Sequence, residues 1–92
     1  MLWLICYDIP NDKRRTKLAK RLEAYCQRVQ FSVFECPLET ADLEDKLQRY
    51  WLPLLNLNED HLRAYPLDGD ARQRAKIYGG PPPYQPPDVI VL

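Results

Sequence analysis

The 92-residue chain has three glycines, one histidine and no excess of either charge: 13 Lys and Arg balance 13 Asp and Glu. So few glycines, at these positions, leave no Gly-rich phosphate loop and no nucleophile elbow. The three cysteines, Cys6, Cys26 and Cys36, are dispersed and form none of the close Cys/His pairs of a zinc site. An odd, scattered set in apolar surroundings predicts buried free thiols in a reducing cytosol. No apolar run approaches the ~18 residues of a membrane span. Met1 to Cys6 carries no basic flank and is closed by Asp8, which predicts a soluble cytoplasmic protein with no membrane partner. His61 has no partner pattern and reads as a surface or strand-start residue rather than a general base. Taken alone, zero net charge argues against a nucleic-acid partner.

What is present is an ordinary globular balance, 46% hydrophobic and 28% charged, unlike the composition of a disordered segment. The length suits one small domain with a single core, which excludes a multidomain enzyme. Leu2 to Tyr7 is a continuous apolar run closed by Asp8, Pro10 and Asn11, the pattern of a central strand. Asn11 or Asp12 can cap a helix running to about Cys26, with Leu18, Leu22, Tyr25 and Cys26 on one stripe. From Arg28 to Leu38 the period becomes two, predicting one long strand with a wet end and a dry end. Thr40 is a candidate cap for a second helix marked by Leu43, Leu47, Tyr50, Trp51 and Leu54 and weakened at Pro53 and Asn56. A strand follows over about 60–67, with Pro66 confining it to an edge or a bulge, then a turn at Asp68-Gly69-Asp70 and a short strand over 75–78.

Two helices on one face of a mostly antiparallel sheet make an α+β, ferredoxin-like sandwich. Its other face lies open, and Phe34 and Cys36 are expected there as a dimer surface. Residues 1–80 form this domain. Beyond them, Pro81, Pro82, Pro83, Pro86 and Pro87 predict an extended spacer, and the apolar residues 89–92 a strand docking on a sheet edge, that of a partner subunit in the favoured arrangement.

The neutral total hides a polarised chain. Lys13, Arg14, Arg15, Lys17, Lys20, Arg21 and Arg28 face one acid, Glu23, a balance of +6 over residues 13–28, whereas residues 35–60 carry −5. Cations in a first helical turn oppose the helix dipole, so Lys13, Arg14 and Arg15 suggest a phosphate-binding corner, with a solvated helix face as the alternative. Asp8 ends an apolar strand beside Tyr7. It either caps the turn at Asn11 or pairs with an arginine, or it holds magnesium, an ion that takes one or two carboxylates and assists phosphodiester hydrolysis. A two-fold axis near the strand ends would pair Asp8 with its copy. Ser32, beside Arg28 on the wet face, is phosphate ligand or plain strand surface.

Three segments in order, Tyr7-Asp8-Ile9-Pro10, Asp12 to Leu18 and Arg28 to Glu35, resemble those of the small CRISPR-associated adaptation protein Cas2, an endoribonuclease family. The likeness continues through Arg63-Ala64-Tyr65-Pro66-Leu67 to Gly79-Gly80. It implies a βαββαβ ferredoxin-like homodimer with an additional C-terminal strand crossing to the partner. The function it implies is spacer acquisition with the CRISPR integrase, together with Mg2+-dependent cleavage of single-stranded RNA or duplex DNA. The same resemblance makes Asp8 the metal ligand, Tyr7 its neighbour, and Arg15, Lys17, Arg28, Ser32 and Phe34 the supporting positions. A non-catalytic DNA-binding scaffold of the integrase complex is the alternative. An RNA-recognition module of the same topology is disfavoured, because no strand shows the aromatic pattern that stacks bases.

Overall fold

A computed structural model describes residues 1–82. Strand β1 (Leu2–Asp8) leads to helix α1 (Asp12–Glu23), the hairpin β2 (Gln27–Gln30) and β3 (Val33–Cys36), helix α2 (Thr40–Lys46), strand β4 (His61–Leu67) and one helical turn, α3 (Ala71–Arg74). The sheet order is β2-β3-β1-β4 with every pairing antiparallel, so β1 is central as its apolar run predicts. This βαββαβ order is ferredoxin-like, in agreement with the expected class. Pro66 lies in β4, which among the described residues is an edge strand paired with β1 alone, where its missing N–H can be tolerated.

One sheet face packs on the helices. Ile5 and Tyr7 of β1, Phe34 and Cys36 of β3, Leu18, Ala19 and Leu22 of α1, Leu43 of α2 and Trp51 form the buried core. Asn11 caps α1 as predicted, its side chain accepting from the Arg14 N–H at 3.0 Å. The helix closes at Glu23 rather than near Cys26, although the Cys26 N–H still donates to the Leu22 carbonyl at 2.8 Å. Thr40 opens α2, but the cap position belongs to Glu39 and no side chain caps it. The chain then widens into a π turn over Leu47–Trp51 and tightens into a 3-10 turn over Leu52–Leu54, where Pro53 removes a donor.

Four expectations are corrected. The long strand over 28–38 is two strands, folded at Phe31 and Ser32. The Gln30↔Val33 pair closes this two-residue connection, with a bulge at Val29 between the Arg28↔Phe34 and Gln30↔Val33 pairs. Among the described residues no non-glycine has positive φ, and the turn residues Phe31 and Ser32 carry no Asn-Gly signature that would have marked it. Phe34 and Cys36 lie on the core face, fully buried, because they stand opposite Ile5 and Trp3, and directly paired residues share a side of the sheet. Cys26 and Cys36 are joined in a disulfide, and Cys6 alone is a free thiol. The Gln27↔Glu35 pair brings the two residues flanking it face to face, with Cα atoms 4.3 Å apart. No strand forms over 75–78: Ile77 and Tyr78 stay exposed, so no buried face holds one, and α3 follows the turn at Gly69 instead. The expected strand over 89–92 and the spacer beyond Pro82 lie outside the described residues.

Candidate nucleic-acid interface

The end of β1 separates the predicted site residues into groups, because alternate side chains leave opposite faces of a sheet. Tyr7 is buried on the helix side, stacked on Phe34 with ring centroids 6.2 Å apart. Its hydroxyl donates to the Phe31 carbonyl at 3.5 Å and its N–H to the Ser32 carbonyl at 3.2 Å. Burial raises the Tyr7 phenol above its ordinary range, partly opposed by the nearby Arg28 charge. Arg28 donates from Nε and Nη2 to the Phe31 carbonyl at 3.1 and 2.7 Å, and its guanidinium lies 5.4 Å from the Phe34 ring centroid. Arg15 donates to the Ile9 carbonyl at 2.8 Å and pairs with Asp12. Tyr7, Arg15, Arg28, Ser32 and Phe34 therefore gather around the β2–β3 turn.

Asp8 points the other way. It is exposed on the open face and lines a cavity of about 220 Å³ with Cys6, Tyr7, His61 and Arg63. His61 stands directly opposite Asp8 in the β1–β4 ladder and Arg63 opposite Cys6. His61 is thus the exposed strand-start residue expected, and it faces the one candidate metal ligand. Arg63 was not singled out as a site residue. Its only sequence signal is the alternation of β4, which puts His61, Arg63 and Tyr65 on one face. Arg63 donates from Nη1 to the Tyr65 hydroxyl oxygen at 3.0 Å, which raises the guanidinium's already high pKa.

The basic run on α1 divides between structural and open cations. Arg14 is occupied, bridging Glu59 and the buried Asp60, with Nε 2.8 Å from Asp60 Oδ2. The Arg14 hydrogen bonds, aided by the Asn56 N–H, hold the Asp60 carboxyl below its usual range against its burial. Part of the acidic stretch therefore neutralises part of the basic one. Arg21 donates to the Tyr50 carbonyl at 2.6 Å. Lys13, Lys17 and Lys20 are exposed and spaced four and three residues apart, which sets three ammonium groups in a row opposite the Leu18 and Leu22 face.

Among the described residues, no three His, Cys, Asp or Glu side chains converge as a metal cage. A single exposed carboxylate with open space beside it does fit magnesium, which keeps most of its waters and takes few protein ligands. No helix of the described residues is long and apolar enough to cross a membrane.

Comparison with known proteins gives a consistent result. The family described as CRISPR associated protein Cas2 matches residues 1–75. The chain is 61% identical, over 98% of its length and 97% of the relative's, to a CRISPR-associated endoribonuclease Cas2 of Synechocystis. Among solved structures, Streptococcus pyogenes Cas2 superposes with a TM-score of 0.73 at 31% identity, covering 86% of this chain and all of that one. A chain of a partial Cas6-RT-Cas1–Cas2 complex superposes at 0.75 with 36% identity, covering 99% of this chain and 98% of that one.

Proposed function

The chain belongs to the CRISPR-associated Cas2 family, and on that premise we propose that it hydrolyses phosphodiester bonds with magnesium at Asp8 while serving the CRISPR integrase in spacer acquisition. The observation that carries the nuclease part is Asp8 itself, exposed at the end of a central strand beside His61 and Arg63 in an open cavity. Asp8 would hold the ion, which when bound orients water and offsets charge on the scissile phosphate. Arg63, which lines the same cavity, would grip a phosphate oxygen. Tyr7, Ser32 and Phe34 would fix the β1 end by their contacts with the β2–β3 turn, and Arg15 and Arg28 would add positive charge there.

The reading includes a cytoplasmic homodimer. Asp8 shares the open face with the half-buried Leu4, Cys6 and Val33 and with Tyr65, so a second copy docking there would bring two Asp8 carboxylates near one another. Segment 88–92, pairing with a sheet edge of that copy, belongs to the same proposal. A second reading, a non-catalytic scaffold, is favoured by the row of Lys13, Lys17 and Lys20, whose ammonium groups suit a duplex backbone without any chemistry. Asp8→Asn, assayed with and without magnesium on labelled single-stranded RNA and duplex DNA, separates the two. The nuclease reading expects cleavage by the parent protein only with metal, and none by Asp8→Asn with binding retained. Cleavage that survives the substitution, or a parent protein that binds without ever cutting, overturns it in favour of the scaffold.

A further inference from the structure

Phe31, at the tip of the β2–β3 hairpin, is 70% exposed, although it is flanked by two fixed cations. The guanidinium carbons of Arg15 and Arg28 lie 5.6 and 5.5 Å from its ring centroid. Even with the two guanidinium groups this near, most of the side-chain surface stays open. Both arginines are already held, Arg15 by the Ile9 carbonyl and Asp12, Arg28 by the Phe31 carbonyl. The ring and its neighbours therefore form a stiff platform, with little side-chain freedom left to lose on binding.

Beside the platform is a cavity of about 420 Å³ lined by Arg15, Thr16, Lys20, Glu23, Arg28 and Phe31. The Lys20 ammonium group is exposed at its rim. A flat π-face bordered by guanidinium groups, with a hydroxyl, a carboxylate and a cation around it, matches one ligand chemistry: an unpaired nucleobase with its attached phosphate. Bases stack on aromatic rings and on guanidinium planes, whereas a base inside a duplex has no free face to offer. We propose that Phe31, with Arg15 and Arg28, is a stacking site for an unpaired base of a single strand. The site rests on the reading above for its ligand being nucleic acid, and it adds a preference for unpaired substrate. The turn is tied to the end of β1 by the Tyr7 hydrogen bonds to the Phe31 and Ser32 carbonyls, which hold the ring's backbone in place.

The test measures binding in the presence of a chelator, so that cleavage plays no part. Fluorescent oligouridylate, oligothymidylate and a mixed-sequence duplex are titrated with the full chain and with Phe31→Leu and Phe31→Trp. Leucine keeps an apolar side chain at an exposed position but removes the π-face, and circular dichroism checks that the fold is unchanged. Phe31→Leu is expected to weaken single-strand binding about ten-fold, the order of one lost base stack. Phe31→Trp should bind single strands at least as tightly as the parent chain, and all three proteins should bind the duplex alike. Loss on oligouridylate alone assigns the site to RNA; loss on both single strands assigns it to the base whatever the sugar. The proposal is overturned if the parent chain does not bind single strands, if Phe31→Leu binds them unchanged, or if duplex binding falls in parallel. A chain that never cuts would refute the nuclease reading and leave this result standing.

Discussion

Breaking the Cys26–Cys36 bond should lower stability by an amount set by the short segment it closes. The two residues are 10 positions apart. Restricting an unfolded loop of that size contributes about 2.7 kcal/mol at 25 °C in the chain-entropy treatment. For a domain of this length that corresponds to a fall in Tm of about 10–20 °C. The hairpin ladder beside the bond survives reduction and makes the lower end the better expectation. Thermal melts of oxidised protein, reduced protein and Cys26→Ser should show the oxidised form melting highest and the other two together. Alkylation of the denatured protein without reductant should mark only Cys6, and all three cysteines after reduction. Three adducts without reductant, or oxidised and reduced melts within about 2 °C of each other, would refute the reasoning.

Asp60 makes the fold acid-sensitive. Its carboxyl titrates below the unfolded value, so the unfolded chain takes up the proton first and stability is lost as pH falls below about 4. Arg14→Met removes the hydrogen bonds responsible and should flatten that limb in denaturation profiles; an unchanged limb would show that Asp60 does not govern it. Trp51 is fully buried, and Trp51→Ala should cost about 3–5 kcal/mol in urea unfolding, a large share of a small domain's stability. A loss below about 1 kcal/mol would mean that the core collapses around the gap.

Local signals made much of the frame legible. The apolar run of β1, the Asn11 cap with the Leu18 and Leu22 stripe of α1, and Pro66 in an edge strand each depend on neighbours in sequence, and each stands as read. Asp8 and the basic run were visible as anomalies of charge for the same reason. The hairpin tip was not legible, because Phe31 and Ser32 turn without glycine and the period of two runs on through them.

What the sequence by itself determined is thus β1, α1 and the strand that carries Pro66, with the chemical types available at the strand and helix ends. Tertiary structure decided which of those groups meet. The β1–β3 register turned Phe34 and Cys36 into the core and joined Cys36 to Cys26. Packing of the loop before β4 against α1 occupied Arg14 with Asp60, while the β1–β4 register set His61 and Arg63 beside Asp8. The hairpin fold left Phe31 exposed between two guanidinium groups. The physical reason is that pairing register and helix docking are set by contacts between segments far apart in the chain. Alternation within one segment says that two faces exist, but only its partner strand says which face is buried.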